Sequence, residues 1–264
     1  MSSTRVLQTY DNPAWRSGFN NMLRKELAAW LSTRRWWIQI LVWFAILNGA
    51  VVLLLWIVPA VDPGNAPPAK DTFGIFMNLL AITLLGAMVL MQGAIVGEKS
   101  SGTAAWIMSN PVSRSAFVLS KLVANAAAIL IIIVLLQGSI AYAQFALHGE
   151  FTPRIGSFAA ALGLHGLSLM FYITLALMLG TFFNSRGPVI GISIAVVVLQ
   201  DLMAQLLVGP LPWLPGVLPS RLTELSMSMA SGEPLASIDP VLTAAVLSIL
   251  FVFVAIWRFR REEF

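Results

Sequence analysis

Residues 98–121 read EKSSGTAAWIMSNPVSRSAFVLSK, a polar segment that interrupts two long apolar runs. The flanking residues 73–96 and 122–147 are each long and apolar enough to cross the roughly 30 Å hydrocarbon core of a bilayer as a helix. A short polar segment between two spans must lie at one membrane surface. Residues 98–121 are called the insert below. The side of the membrane on which the insert lies determines the direction in which each span crosses.

The composition places the whole chain in the membrane. Hydrophobic residues make up 58% of the 264 residues and charged residues 11%, against roughly 25% charged residues in soluble domains; the mean hydropathy is +0.83. Runs of about 20 apolar residues predict six spans, at residues 36–58, 73–96, 122–147, 158–183, 188–207 and 241–257. The sequence therefore predicts an all-α integral membrane protein that forms a single domain over residues 1–264.

Basic residues are concentrated in alternate polar segments. The rich segments hold Arg5, Arg16, Arg24, Lys25, Arg34 and Arg35 before the first span, Lys99, Arg114 and Lys121 in the insert, Arg186, and Arg258, Arg260 and Arg261 at the end. The other loops hold one each, Lys70, Arg154 and Arg221. By the positive-inside rule both termini and the insert face the cytoplasm. The net charge of +4 reflects this topology, and no nucleic-acid partner is predicted.

Residues 15–31 predict an amphipathic helix that lies in the cytoplasmic interface, because their apolar side chains fall on one broad arc. Glu26 projects onto the middle of that arc, where an unpaired carboxylate is costly. Two interpretations stay open. Glu26 pairs with a cation of the bundle or the insert, such as Lys99 or Arg114, or the helix bends and Glu26 reaches water.

The insert contains its own helix signals. Gly102 can break the helix that leaves the second span, and Thr103 is a candidate cap for a short helix over residues 104–109. Pro111 ends that helix, and Ser113 is placed to cap the helix that continues into the third span. The pattern predicts one short turn of helix held between two rigid spans.

The short helix is predicted to expose Trp106, Ile107 and Met108. An apolar tip with an aromatic anchor, held off the membrane, is suited to docking into a groove on a cytosolic protein. The alternative is an amphipathic interfacial loop without a partner.

The insert closely resembles the first cytoplasmic loop of ABC-2 type permeases, the membrane subunits of type V ABC exporters. The matching positions are Glu98, Lys99, Gly102, Thr103, Pro111, Val112, Ser113, Arg114 and Lys121. In that family this loop forms the coupling helix, which rests on the nucleotide-binding subunit. The resemblance implies that Trp106, Ile107 and Met108 make the mechanical contact and that Glu98 and Arg114 anchor the insert electrostatically. Ala104, Ala105 and Trp106 depart from the family, which usually has leucine and acidic residues there.

The resemblance extends over the rest of the chain. Lys25, Glu26 and Leu27, ahead of Arg34 and Arg35, are similar to the family's interfacial elbow helix, and six spans with both ends inside match its usual membrane unit. Six spans are half of the usual family complement, which implies a second copy or a related permease with two ATPase subunits below. The chain contains no G-x-x-x-x-G-K-[ST] loop, so ATP and Mg²⁺ would be bound by a separate chain.

These implications give the expected function. The chain is expected to be a permease subunit, and not an enzyme, that exports a hydrophobic or amphipathic substrate across a bacterial or archaeal cell membrane. No cofactor or metal site is predicted on it.

Two other classes of function stay open. One is a membrane-embedded hydrolase or protease built on His165 and Ser168, and the other is a non-transporting anchor or sensor. His165 and Ser168 lack a third partner, which favours interhelical hydrogen bonding instead.

The outer end holds a second candidate region, residues 209–237. Pro210, Pro212, Pro215 and Pro219 stiffen its first part, and residues 221–230 can form a short amphipathic helix. The family commonly carries short helices here that close the exit, so the resemblance implies a gate with Pro215 and Pro219 in it; the alternative is an ordinary structured loop.

Asp201, with Gln200 beside it and Gln205 one turn later, lies toward the outer third of the fifth span. An ionisable side chain in a span indicates a cavity, a dimer seam or a paired cation. The alternative is that Asp201 meets water at the interface.

Overall fold

The computed structural model describes residues 18–207 and 209–263, and within these residues it contains helices and no strands. The helices of the described part are α1 (Phe19–Leu31), α2 (Arg35–Val61), α3 (Ala69–Ser100), α4 (Thr103–Met108), α5 (Arg114–His148), α6 (Ile155–Phe182), α7 (Arg186–Leu206), α8 (Leu214–Val217), α9 (Arg221–Ala230) and α10 (Asp239–Arg260). Six of them, α2, α3, α5, α6, α7 and α10, are long and apolar enough to cross a membrane. The prediction of an all-α integral membrane protein with six spans is confirmed.

The interfacial helix is present as α1, from Phe19 to Leu31, while residues 15–17 of the predicted segment lie outside the described part. The short outer helices are α8 and α9. α3 runs on to Ser100 and α5 begins at Arg114, so both spans extend into the insert beyond their predicted ends at residues 96 and 122.

Caps explain where the helices of the insert begin. Ser113 caps α5 as predicted, since its Oγ accepts a hydrogen bond from the amide of Ala116 at 3.0 Å. The prediction that Thr103 caps α4 is wrong, because Gly102 occupies the cap position and Thr103 is the first helical residue. Gly102 has a φ of 72°, a left-handed conformation that glycine adopts without a steric cost.

α6 is the central helix of the bundle and packs against α3, α7, α9 and α10. In α6, 67% of the most apolar stretch is buried, whereas the corresponding share is 17% in α7 and 22% in α10. The buried aromatic and aliphatic side chains form one continuous core. α7 and α10 therefore present most of their apolar surface outward, to lipid or to another chain.

Three buried amide side chains join α2 to α5, and the sequence analysis did not single them out. Asn48 Nδ2 donates to Gln137 Oε1 at 2.7 Å, and Gln144 Nε2 donates to Asn48 Oδ1 at 2.7 Å. Asn48 and Gln137 have no exposed surface. Such interhelical hydrogen bonds contribute on average about 0.6 kcal/mol each in a membrane. The three side chains therefore add little to the stability of the fold, but they fix the position of α2 along α5.

α2 and α3 approach each other closely at Gly86. A Cβ atom at this position would lie 2.1 Å from Cζ2 of Trp43. The indole of Trp43 is held in turn, because its Nε1 donates to Gln39 Oε1 at 3.0 Å. The ring therefore packs directly on the backbone of α3.

We expect Gly86→Ala to destabilise the protein by about 1–3 kcal/mol, because the added methyl group overpacks the contact with Trp43. Thermal unfolding of the purified protein in detergent measures this as a lowered midpoint. Gly74→Ala, in the same helix, is the matched control, since a Cβ there has no atom within 4 Å. Equal midpoints for the two variants would contradict the close approach.

Candidate functional site

Four charged side chains form a cluster beside the insert, called the charge cluster below. Lys25 and Glu26 come from α1, Glu98 from the end of α3 and Lys121 from α5. Lys121 Nζ lies 2.8 Å from Glu26 Oε1 and 3.0 Å from Glu98 Oε1. Lys25 Nζ lies 2.6 Å from Glu98 Oε1. The cluster thus joins α1 to both helices that lead into and out of the insert.

Burial differs sharply between the two lysines of the cluster. The side chain of Lys121 is 2% exposed and that of Lys25 is 45% exposed. A buried ammonium group is tolerated only when carboxylates pair with it and accept its hydrogen bonds. Two lysines and two glutamates make the cluster neutral, so the desolvation of Lys121 is offset within the site.

The structure decides between the two interpretations of Glu26. Glu26 forms an ion pair, so the predicted pairing is confirmed, but its main partner is Lys121 and not Lys99 or Arg114. The side chain of Glu26 is 12% exposed, which contradicts the alternative that it turns out to water.

The carboxyl-terminal end of α10 contacts both ends of the insert. Lys99 Nζ lies 2.8 Å from Glu262 Oε1. Arg114 donates through its guanidinium to the backbone carbonyl of Arg260, and the Arg260 guanidinium donates to Ser115 Oγ at 3.0 Å. The end of α10 therefore ties the beginning of α5 to the end of α3.

Aromatic contacts connect this region to the charge cluster. The rings of Phe117 and Phe259 stack with centroids 4.8 Å apart and planes 5° apart. Lys121 Nζ lies 5.0 Å from the centroid of the Phe117 ring, within the range of a cation–π interaction. One continuous set of contacts thus runs from α1 through α5 to α10.

The tip of the insert is the helix α4. Trp106 is 70% exposed, as predicted. The prediction that Ile107 is exposed is wrong, because Ile107 is 5% exposed and packs in the core with Ala104, three residues earlier on the same helix face. Met108 is half-buried and packs against the core. The outward apolar surface of α4 is therefore centred on Trp106 alone.

The predicted coupling residues separate into two groups. Glu98, Lys99 and Arg114 bind to other parts of the chain and hold the insert in place, while Ser113 caps α5 within the insert. Gly102, Trp106 and Pro111 lie on the exposed side, while Thr103 is half-buried with its Oγ1 2.8 Å from Ser101 Oγ. The electrostatic anchoring by Glu98 and Arg114 acts within this chain, through α1, α5 and α10.

At the outer end, Gln200 binds the segment that contains Pro215 and Pro219. Gln200 Oε1 accepts a hydrogen bond from the amide of Ser220 at 3.0 Å, and Gln200 Nε2 donates to the Tyr172 hydroxyl at 3.3 Å. Pro215 and Pro219 are buried and precede Ser220 in the outer segment. Gln200 therefore fastens the outer segment to α7 and joins α7 to α6.

Asp201 and Gln205 do not join that connection. Both are exposed on α7, and α7 is the least buried of the six spans of the described part. Asp201 has no ion pair with a described residue. Its carboxylate faces outward from the single chain.

His165 and Ser168 are not hydrogen-bonded to each other. His165 Nε2 lies 2.8 Å from Thr83 Oγ1 of α3, and Ser168 Oγ has no hydrogen-bond partner among the residues described. His165 therefore makes an interhelical hydrogen bond, as predicted. Within residues 18–207 and 209–263 no three histidine or acidic side chains are grouped so that they could hold a metal ion.

Residues 38–264 match the model of a family described as a protein of unknown function, DUF2705. The chain belongs to this family. An uncharacterized transmembrane protein of Bacillus subtilis (strain 168), YxlG, is 27% identical over 204 residues, which cover 76% of this chain and 75% of the relative. The DUF2705 match begins after α1 and includes the insert and all but the start of α2, so Lys25 and Glu26 lie outside the matched region. With six spanning helices, the chain is a multi-pass membrane protein.

We expect Lys121→Met to destabilise this DUF2705 protein by about 3 kcal/mol, because it removes the buried cation of the cluster and leaves Glu26 and Glu98 with the half-exposed Lys25 alone. Lys25→Met is the matched control. We expect it to cost less than about 1 kcal/mol, since the side chain of Lys25 is about half exposed and ion pairs at the surface contribute little. Thermal unfolding in detergent, monitored for both variants, measures the difference.

A triple variant separates charge from packing. In Lys121→Met combined with Glu26→Gln and Glu98→Gln, no buried charge remains, so we expect much of the lost stability to return. Equal unfolding midpoints for the Lys25 and Lys121 single variants would show that the burial of Lys121 does not govern the cluster.

Proposed function

We propose that the chain is the permease subunit of an ABC-2 type exporter, coupling ATP hydrolysis by two cytosolic ATPase subunits to export of a hydrophobic or amphipathic substrate across the bacterial or archaeal cell membrane. The observation that carries the proposal is the exposure of Trp106 at the tip of a six-residue helix. An exposed indole on a rigid, water-facing helix is the kind of anchor that fills a pocket on a partner protein.

The contacts around α4 support its role as a force-transmitting element. The connections on either side of α4 lead directly into the spans α3 and α5. The charge cluster adds α1, and the contacts of Lys99 and Arg114 add α10. A displacement of α4 by an ATPase would therefore reach four helices together and would not be absorbed by a flexible loop.

The ATPase would be a separate chain, because the sequence carries no P-loop. ATP and Mg²⁺ would be bound there, and this chain would contribute positioning and movement. The residues that would touch the ATPase are Trp106 and its exposed neighbours, with Met108 at the edge, while Ile107 would support α4 from within.

A second copy of the chain, or a related permease, fits the outer surface of α7. Beyond Arg186 at its first position, that surface is apolar apart from Asp201 and Gln205. A carboxylate in a span is costly against lipid and is usually found facing a bundle interior or a water-filled cavity. A seam between two copies would supply such surroundings, and its widening would open the substrate path beneath the outer segment.

The proposal requires the insert to face the cytoplasm, and cysteine labelling tests this directly. The chain has no cysteine, so Ser101→Cys in the insert and Ser231→Cys after α9 are unique sites, and both serines are exposed. With a membrane-impermeant thiol reagent, we expect Ser231→Cys to react in intact cells and Ser101→Cys only after permeabilisation. The reverse pattern would contradict the orientation.

Affinity purification of the tagged full-length protein from its native membrane tests the partner. We expect an ABC ATPase, identified by its P-loop sequence in mass spectrometry, to co-purify with the wild type. Trp106→Glu is expected to reduce its recovery at least tenfold, because a buried interfacial charge without a partner costs more than about 1.4 kcal/mol.

Two controls accompany this measurement. Trp106→Phe keeps an apolar ring and should keep most of the complex, and Ser231→Glu adds the same charge at an exposed site away from α4 and should leave recovery unchanged. Full recovery with Trp106→Glu would refute docking through α4. Absence of any ABC ATPase from the wild-type complex would favour the anchor or sensor function.

A further inference from the structure

A polar cavity of about 430 Å³ lies beside the charge cluster, between α1, α2, α3, α5 and α7. Arg35 at the start of α2 and Arg186 at the start of α7 both line it. These arginines stand where two spans begin, so the cavity lies at the depth of lipid headgroups on the side of the insert.

The cavity has an excess of positive charge. Its lining includes the four members of the charge cluster, whose two lysines and two glutamates cancel, together with Arg35 and Arg186. Neither arginine side chain has an ion pair or a hydrogen bond to another residue in the described part of the chain. Two guanidinium groups therefore face one cavity without an acidic partner.

Arg186 rests on a surface made by glycine. α3 is interrupted by turns at residues 92–95, and a Cβ at Gly93 would lie 3.4 Å from Nε and 3.5 Å from Cζ of Arg186. A Cβ at Gly97 would lie 3.7 Å from Nη2 of Arg186. Because these are van der Waals distances, the guanidinium of Arg186 lies directly against this stretch of α3.

One wall of the cavity is apolar and lies deeper in the membrane. Val89 and Leu90 precede the interruption in α3, and Val89 is 50% exposed. Trp30, whose Nε1 donates to Asn125 Oδ1 at 3.0 Å, closes another side. A ligand in this site would thus meet cations at one end and an accessible hydrocarbon surface at the other.

We propose that this cavity binds the phosphate group of an anionic phospholipid from the membrane leaflet on the side of the insert. Guanidinium groups bind phosphate oxygens through paired, charge-assisted hydrogen bonds. Arg35 and Arg186 supply these donors, and the acyl chains extend along Val89. The bound lipid joins α2 and α7 to the charge cluster, independently of whether the protein transports anything.

Binding of fluorescent phosphatidylglycerol to the purified full-length protein in detergent tests the proposal. We expect Arg186→Gln and Arg35→Gln each to weaken binding about fivefold, the loss of roughly one interfacial cation–anion contact. Arg34→Gln is the matched control, because Arg34 adjoins Arg35 in sequence but does not line the cavity; its affinity should equal that of the wild type. Unchanged unfolding midpoints confirm that all three variants fold.

Competition identifies the source of the phosphate. Unlabelled phosphatidylglycerol should displace the probe, whereas phosphatidylcholine and a large excess of inorganic phosphate should not. Displacement by inorganic phosphate would show that the cavity binds a free oxyanion and not a lipid, which would overturn the proposal. Equal displacement by phosphatidylcholine, or an Arg34→Gln defect as large as that of Arg35→Gln, would overturn it as well.

Discussion

A lysine ammonium group removed from water needs carboxylates within hydrogen-bonding distance, and Lys121 finds them on two other helices. Glu26 of α1 and Glu98 of α3 both lie within about 3 Å of its Nζ. If either glutamate moved away, the charge balance around Lys121 would fail. The positions of α1, α3 and α5 at this end of the bundle are therefore mutually dependent.

Further contacts around Lys121 connect the same helices to each other and to α10. Trp30 of α1 binds Asn125 of α5 one turn beyond Lys121. One turn before Lys121, the ring of Phe117 stacks on that of Phe259 in α10. A Cβ at Gly18 would lie 2.8 Å from Val112, so the start of α1 also packs against the insert. The insert is consequently held from several sides, and Trp106 is the large apolar side chain that it leaves exposed.

This arrangement gives the proposed coupling a physical basis. An element that transmits force must be stiffer than the contact through which it is pushed, and neutralised buried charges with stacked rings provide that stiffness. The outer segment is held mainly by the packing of α9 on α6, where the hydroxyl of Ser226 donates to the carbonyl of Ala161 at 2.8 Å. The amide of Ser220 adds a hydrogen bond to Gln200 of α7. Under the proposed function, movement of the rigid cytoplasmic end would reach the outer segment through α6, against which both α10 and α9 pack.

Much of the fold could be predicted from the sequence because it depends on local properties. The six spans follow from apolar length, α1 from its amphipathic arc, and the start of α5 from the Ser113 cap. The site was only partly predictable. Trp106 was identified correctly, but Ile107 turned inward, because in a helix as short as α4 the surface that packs is chosen by its neighbours. The trio around Asn48 had no sequence signal beyond polar residues within apolar runs.

The sequence by itself determined that the chain crosses the membrane six times and carries a short helix between its second and third spans, since hydropathy and helix caps act over a few neighbouring residues. Only the tertiary structure decided which charges meet. Lys121 and Glu26 are 95 residues apart in the chain, and several cations could have paired with Glu26. The choice depends on which ammonium group the packed helices shield from water, and that shielding arises only when α1, α3 and α5 are assembled.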